Sequence, residues 1–411
     1  MGYDASTSNV ENEIALISRI IIMNKDDMRK NYIGREQALV KHTILKTYLQ
    51  RLFMIIGQGK ADVINYVDCF SGPWEAEDEK LEDTSIGISL RIMSECKKSL
   101  NIAPFKRDIK FRALYIEKNP KAFAKLKTFL SNNPYPEIET QCLHGDYTEL
   151  LPEIVDWCKG QFTFFFVDPK GWQKVVGAKT MQPLLELNKS EFLINMMYGF
   201  INRFVKLEHH ADDMIELFAE VPTFTNETPE ERRRHLLSLY RQNIKKNFGG
   251  RTSFVAVEKP GVERVHYFLV YLTRSSIGIK VFKEAAEKME DVQRISQYKV
   301  KLRKQLAKSP IDDLFGGQAE MQIDKLECKD NKLEAREYIL NKLSKGALKI
   351  DYDIWADWLE ESDLYPSDFQ VAIKELYKEG LVENLDYNVG KRRTKLIHPD
   401  WPNKSERWKL V

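Results

Sequence analysis

Cysteine is scarce and nowhere paired: in 411 residues there are five, Cys69, Cys96, Cys142, Cys158 and Cys328, with no CxxC or Cys/His spacing among them. That excludes a disulfide framework and a tetrahedral zinc site and points to reduced thiols. Long apolar runs are missing too. No stretch of about 18 apolar residues occurs, and the first thirty residues lack a basic start followed by an apolar core, so neither a membrane span nor a secretory signal is expected and the chain reads as cytoplasmic. Nor is there an excess of one charge. With 63 Lys plus Arg against 61 Asp plus Glu the net charge is +2, so any contact with nucleic acid must be local rather than global.

Two phosphate-binding signatures are also absent. No glycine-rich dinucleotide fingerprint follows a strand, which argues against a dehydrogenase, and Gly57-Gln58-Gly59-Lys60 lacks the spacing of a phosphate loop. The pairs His209-His210 and Asp212-Asp213 do not make a metal site, because adjacent side chains on a helix diverge by about 100°. No metal is expected.

What remains is an ordinary globular balance, 43% hydrophobic and 30% charged, in a chain long enough for two or three domains. Residues 1–60 read as a helical N-terminal cap, with Ile14, Ile17, Ile20 and Ile21 and then Leu45, Tyr48, Leu49, Leu52 and Phe53 near the helical period. From residue 61 to 308 the pattern is α/β. Four apolar runs, Val63–Phe70, Phe111–Ile116, Phe162–Val167 and Phe192–Met197, alternate with helical segments, as in a doubly wound parallel sheet covered on both faces. A charged helical insertion is expected at about 205–250, and Arg232-Arg233-Arg234 within it reads as a solvated helix face. Ser253–Val257 and His266–Leu272 flank Pro260-Gly261 as an antiparallel pair, and a helix with a basic last third runs from about Lys280 to Lys308. Residues 309–330 read as a linker. Residues 331–411 hold helices at Glu334–Leu343, Tyr352–Glu361 and Ser367–Glu379, then a hairpin from Gly380-Leu381-Val382 toward Thr394–His398, the order of a winged helix. From Lys391 to Val411 seven Lys or Arg stand against two Asp or Glu, a local excess of five centred on Lys391-Arg392-Arg393-Thr394-Lys395.

Four carboxylates fall at strand ends in order. Asp68 opens Asp68-Cys69-Phe70-Ser71-Gly72, either a turn that lets backbone approach a nucleotide-like ligand at the switch point or an ordinary tight βα turn. Glu117 ends the next run, where a carboxylate suits two ribose hydroxyls and repels a 2′-phosphate. Asp146, after Gly145, is placed either to receive an adenine amine or to cap a helix beginning at Tyr147. Asp168-Pro169, with Trp172 just beyond, offers a hydrogen-bond acceptor and a stacking plane, or else a strand-to-loop exit.

This series, Asp-x-Phe-x-Gly, strand-tip Glu, Gly-Asp and Asp-Pro, resembles the class I S-adenosylmethionine-dependent methyltransferases, which have a Rossmann-like sheet. More narrowly, Lys41-His42-Thr43-Ile44-Leu45-Lys46-Thr47-Tyr48-Leu49, Phe70-Ser71-Gly72-Pro73, Phe166 to Trp172, Asn195 with Asn202-Arg203, and Tyr267 to Arg274 are similar to the three-Cys-motif partner proteins (TcmP), over about residues 35–300. The resemblance implies S-adenosylmethionine as cofactor, with Asp68, Phe70, Ser71 and Gly72 at its methionine side, Glu117 at its ribose and Asp146 at its adenine. It implies a catalytic Asp168, Pro169 and Trp172 like the Asp-Pro-Pro-aromatic motif of enzymes that methylate amino groups in DNA or RNA. Here Lys170 and Gly171 replace that motif's last two residues and Trp172 comes one position late. The expected activity is methyl transfer to an amino group in nucleic acid; the alternative is a non-catalytic partner subunit of a three-Cys-motif, radical-SAM-like protein encoded nearby.

Overall fold

The computed structural model describes residues 32, 34–59, 61–72, 84–132, 134–169, 174–205, 207–262, 264–308, 331–386 and 405–411. Helix α1 (Glu36–Gln58) leads into strand β1 (Val63–Asp68). Then follow α2 (Ser85–Asn101), β2 (Lys110–Glu117), α3 (Pro120–Ser131), β3 (Glu139–His144), α4 (Leu151–Cys158), β4 (Phe162–Val167), α5 (Ala178–Leu185) and β5 (Ser190–Met196). Three helices, α6 (Tyr198–Phe204), α7 (Ala211–Phe218) and α8 (Pro229–Phe248), precede β6 (Arg251–Glu258), β7 (Val265–Thr273) and the long α9 (Ser276–Lys308).

The strands form one sheet in the order β3-β2-β1-β4-β5-β7-β6. β1 to β5 run parallel, and β7 is antiparallel to both β5 and β6. It is a doubly wound, mainly parallel α/β sheet of seven strands. Alternate side chains of each strand divide the core. Ile64, Tyr66, Phe164, Phe166 and Leu193 face α1, α2 and α9, while Val67, Phe165, Val167, Phe192 and Ile194 face α4 to α8. Both faces being covered explains why these strands read as continuous apolar runs. The segment expected as an insertion at 205–250 supplies α7 and α8, which cover that second face on the way from β5 to β6.

The sheet has five parallel strands, the four apolar runs and, ending just before Asp146, β3, which lies at the edge and carries no apolar run because its side chains are exposed or only half-buried. The C-terminal segment holds a small sheet of its own. Helices α10 (Lys332–Leu343), α11 (Tyr352–Glu361) and α12 (Pro366–Lys378) are accompanied by strands β8 (Leu348–Ile350), β9 (Val382–Asn384) and β10 (Glu406–Leu410) in the order β8-β10-β9. β9 therefore pairs with the chain end, Leu410 opposite Val382, while Thr394–His398 and the Lys391 to Lys395 cluster lie outside the described residues. Trp408, fully buried, anchors that sheet.

The C-terminal segment packs against β6, α8 and α9. Arg251 pairs with Asp357 and, at 3.4 Å, Glu360; Arg241 donates to the Glu360 carbonyl at 3.1 Å; Lys283 donates to the Ser362 carbonyl at 2.9 Å. Among the described residues no helix is long and apolar enough to cross a membrane.

Below the sheet, at the start of β5, the buried Glu191 carboxylate accepts hydrogen bonds from Tyr48 (2.5 Å), Tyr271 (2.9 Å) and Thr273 (2.7 Å). Burial pushes its carboxyl above the usual range, and the three hydroxyls hold it down in part. Glu191→Ala should cost about 3 kcal/mol, since a buried polar group left unpaired costs about 1–3 kcal/mol and a cavity adds to it. Urea unfolding would show this as a lower midpoint at unchanged slope.

Candidate functional site

All four strand-end carboxylates lie at the carboxyl edge of the sheet. The chain winds from β1 outward through β2 and β3, then crosses back to β4, so the crevice between β1 and β4 is the topological switch point where open α/β sheets take ligands. Asp68 and Asp168 flank that crevice.

Asp68 is fully buried. Its Oδ1 accepts from the Phe70 amide (3.1 Å) and its Oδ2 from the Ser85 hydroxyl (2.6 Å), so it fastens the turn after β1 to the start of α2. Burial is the main reason its carboxyl is pushed up to about 6; the Asp168 charge adds to this, while Ser85, Phe70 and Lys41 oppose it. A carboxyl raised on folding contributes stability that is complete below its unfolded value near 3.8 and is lost as pH rises through about 6. Stability measured from pH 4 to 7 should therefore fall more steeply in the wild type than in Asp68→Asn, which has no proton to lose. Parallel pH profiles would expose the error.

The turn itself is pinned at three points: Cys69 N donates to Phe166 O (3.0 Å), Ser71 N to Ile116 O (2.7 Å) and Gly72 N to Phe70 O (3.0 Å). This brings Gly72 against Glu117. A Cβ at Gly72 would collide with Glu117 Oε2 and stand 2.8 Å from Cδ, so only glycine lets the carboxylate lie there. Glu117 is almost buried, and its Oε1 accepts from the Asn119 amide at 2.6 Å. Gly72 and Glu117 thus form one small cradle with a carboxylate oxygen, Oε2, against the glycine.

Asp146 is drawn toward this cradle because Gly145 N donates to the Glu117 carbonyl (3.2 Å) and Phe70 packs on Tyr147 with ring centroids 5.3 Å apart. Gly145 takes φ +155°. The helix expected from Tyr147 begins instead at Leu151. The Asp146 carboxylate turns back on Thr148, accepting from its amide (3.0 Å) and hydroxyl (2.8 Å), and Lys118 stands 3.7 Å away. Burial alone would raise its carboxyl, but Thr148 and Lys118 outweigh it and leave it below the usual range.

Across the crevice Asp168 is held on both oxygens. Oδ1 accepts from Asn195 Nδ2 at 2.6 Å and Oδ2 is paired with Lys41 Nζ. Asn195 sits on β5 one residue past the Val167–Ile194 pairing, which sets it beside Asp168, and its own Oδ1 is buried with no hydrogen-bond partner. Pro169 is buried; Trp172, with Lys170 and Gly171, lies outside the described residues. Lys41 and Asn195 were visible in the sequence only as members of a similar motif, with no role attached. An amide on the strand next to an Asp-Pro exit, at the same level, is the signal that would have found Asn195.

No residues in this region have metal-holding geometry: among the described residues there is no group of three or more His, Cys, Asp or Glu arranged for an ion, and His210 is bonded to Asp213 at 2.9 Å.

No protein-family model and no curated protein matches the chain. Among solved structures it is similar to the methyltransferase domain of bacterial CtHen1-CN, with 10% identity over 55% of this chain and 100% of that one and a TM-score of 0.27. It is also similar to a loganic acid methyltransferase with SAH, with 7% identity over 70% of this chain and 88% of that one and a TM-score of 0.28. Scores this low leave the functional argument to the geometry.

Proposed function

We propose that the chain is an S-adenosylmethionine-dependent methyltransferase acting on an amino group in nucleic acid. The observation that carries this is the cradle: a glycine whose missing Cβ makes room for a strand-tip carboxylate, beside the switch-point crevice. Glu117 Oε2 suits the two hydroxyls of a ribose, and the Phe70-Ser71-Gly72 backbone, fastened by Asp68, suits a methionine tail. Asp146 would stand toward the adenine. Bound there, S-adenosylmethionine supplies an electrophilic methyl group on its sulfonium.

The chain's own part is alignment, because methyl transfer to an amine needs little acid–base help. Asp168 and the Pro169 carbonyl orient the acceptor N–H bonds so that its lone pair faces the crevice. Asn195 fixes the carboxylate's plane, and Lys41 holds its second oxygen until an acceptor competes for it. Trp172 would supply a stacking face.

A second reading, the non-catalytic partner of a three-Cys-motif protein, is favoured by one observation: both Asp168 oxygens are already bound within the chain. In either reading residues 331–411, three helices with a small sheet, would serve as a winged helix gripping nucleic acid or a protein partner.

The deciding experiment is transfer of labelled methyl from S-adenosylmethionine to RNA, DNA and protein acceptors by the full chain. Label in nucleic acid that acid hydrolysis recovers on a base amine is the expected result. Cofactor binding with no acceptor labelled would favour the partner reading.

A further inference from the structure

The Arg232-Arg233-Arg234 run does not behave as the uniformly solvated face its sequence implies. Only Arg234 is fully exposed, with Glu230 at 3.0 Å; Arg233 lies 3.5 Å from the same carboxylate, and Arg232 lies over the Phe224 ring at 4.9 Å with its Nε buried and without a hydrogen-bond partner. The cations left exposed lie on α6 and on the β6–β7 connection. The first is Arg203. It donates to the Gly199 carbonyl at 3.0 Å and stacks on Phe200 at 4.5 Å, and a Cβ at Gly199 would stand 3.3 Å from the His266 carbonyl. Lys259 is tied to Arg264 across the hairpin, its amide donating to the Arg264 carbonyl at 2.9 Å.

Arg203, Lys259 and Arg264 are exposed, and among the described residues none of them has a carboxylate ion pair. Three exposed cations from two segments thus share one surface, because Gly199 on α6 lies against His266 of the hairpin. Their position is the second observation. β7 is antiparallel, so its first residues, Val265 and His266, continue past the carboxyl ends of β5 and β4; Leu269 lies opposite Asn195, which bonds Asp168. The chain of α6 starts two residues after β5 ends. The basic surface therefore rims the Asp168 side of the crevice, away from the Gly72–Glu117 cradle.

We infer that Arg203, Lys259 and Arg264 form a track for the phosphodiester backbone of the nucleic acid whose base is presented at Asp168. Exposed guanidinium and ammonium groups suit phosphate oxygens, and Arg203 stacked on Phe200 offers a plane on which a base can stack. The proposal rests on the methyltransferase reading only in placing the acceptor at Asp168; the backbone track is testable without any transfer. It adds a nucleic-acid contact on the α/β domain to the one proposed for residues 331–411.

The test uses the full chain and fluorescein-labelled 20-nucleotide single strands, one RNA and one DNA, with anisotropy read across a salt series. Arg203→Gln/Arg264→Gln should weaken binding and flatten the dependence of log affinity on log salt by about 1.4 units, at about 0.7 per phosphate contact. Lys159→Gln/Lys189→Gln removes the same charge at the opposite end of the sheet and should leave both unchanged. Hydrogen exchange on the unmutated protein should show added protection at 198–204 and 259–266 when the strand is present. Preference between the two strands then identifies the natural polymer. The track is refuted if neither strand binds, if both double variants lose affinity equally, if exchange is unaltered there, or if polyglutamate binds as tightly, which would indicate an anionic surface effect rather than phosphate recognition. Calorimetry with S-adenosylmethionine on the same variants separates the two claims: lost strand binding with intact cofactor binding is expected, and absent cofactor binding would count against the methyltransferase reading alone.

Discussion

Replacing Gly72 by alanine should reduce S-adenosylmethionine affinity at least about 100-fold, equivalent to about 2.7 kcal/mol. The reason is steric. The added methyl would meet the Glu117 carboxylate, whose Cδ is 2.8 Å away, and neither partner can retreat freely. Glu117 is tied to the Asn119 amide at 2.6 Å, and the turn is pinned by Ser71 to Ile116 at 2.7 Å. Relief requires either the carboxylate to rotate out of the cradle or the turn to lift from β2, and each would remove a surface of the proposed cofactor site. Overpacking of this kind typically costs about 1–3 kcal/mol of stability, so the variant should still fold. A thermal melt alongside calorimetry separates the two effects; a folded variant with wild-type affinity would place the cofactor elsewhere.

Asp168→Ala should lower methyl transfer by about 100-fold or more, in the range expected when a group that positions or polarises the acceptor is removed, while cofactor affinity stays within a few-fold. The structural cost should be modest. Lys41 is about one-fifth exposed and can be hydrated once its partner is gone, whereas Asn195 loses its Nδ2 acceptor on top of an already unpaired Oδ1, which costs about 1–3 kcal/mol. Single-turnover transfer with pre-bound cofactor, compared with cofactor affinity, would separate chemistry from binding. Wild-type transfer in this variant would move the acceptor site away from β4. In the partner-subunit reading the same substitution would leave association with the three-Cys-motif protein intact.

The strands that both helical layers cover were the legible part of this fold. Phe162–Val167 was read with the bounds it has, because a parallel strand buried on both faces is apolar throughout. β3 was legible only through the Gly145-Asp146 turn that follows it, since at a sheet edge its side chains are only half covered. β10 was not legible: its pairing with β9 spans more than twenty residues, and only Trp408 of its side chains is buried. In the site, the strand-end carboxylates stood out because turn residues follow them at once. Their partners did not. Lys41 reaches Asp168 across 127 positions and Ser85 reaches Asp68 across 17, and no local pattern announces a contact made by helix packing. The basic rim was obscured for the same reason: Arg203 and the Lys259–Arg264 hairpin stand more than fifty positions apart, and only the fold sets Gly199 against His266.

Whether Gly72 and Glu117 hold S-adenosylmethionine is decided by calorimetric titration of that cofactor into the full chain, wild type and Glu117→Ala side by side. Saturable one-site binding to the wild type is expected, with a loss of at least about tenfold in the variant, since each charge-assisted hydrogen bond contributes about 1.5–3 kcal/mol. No binding to the wild type, or equal affinity in the two proteins, would contradict that assignment.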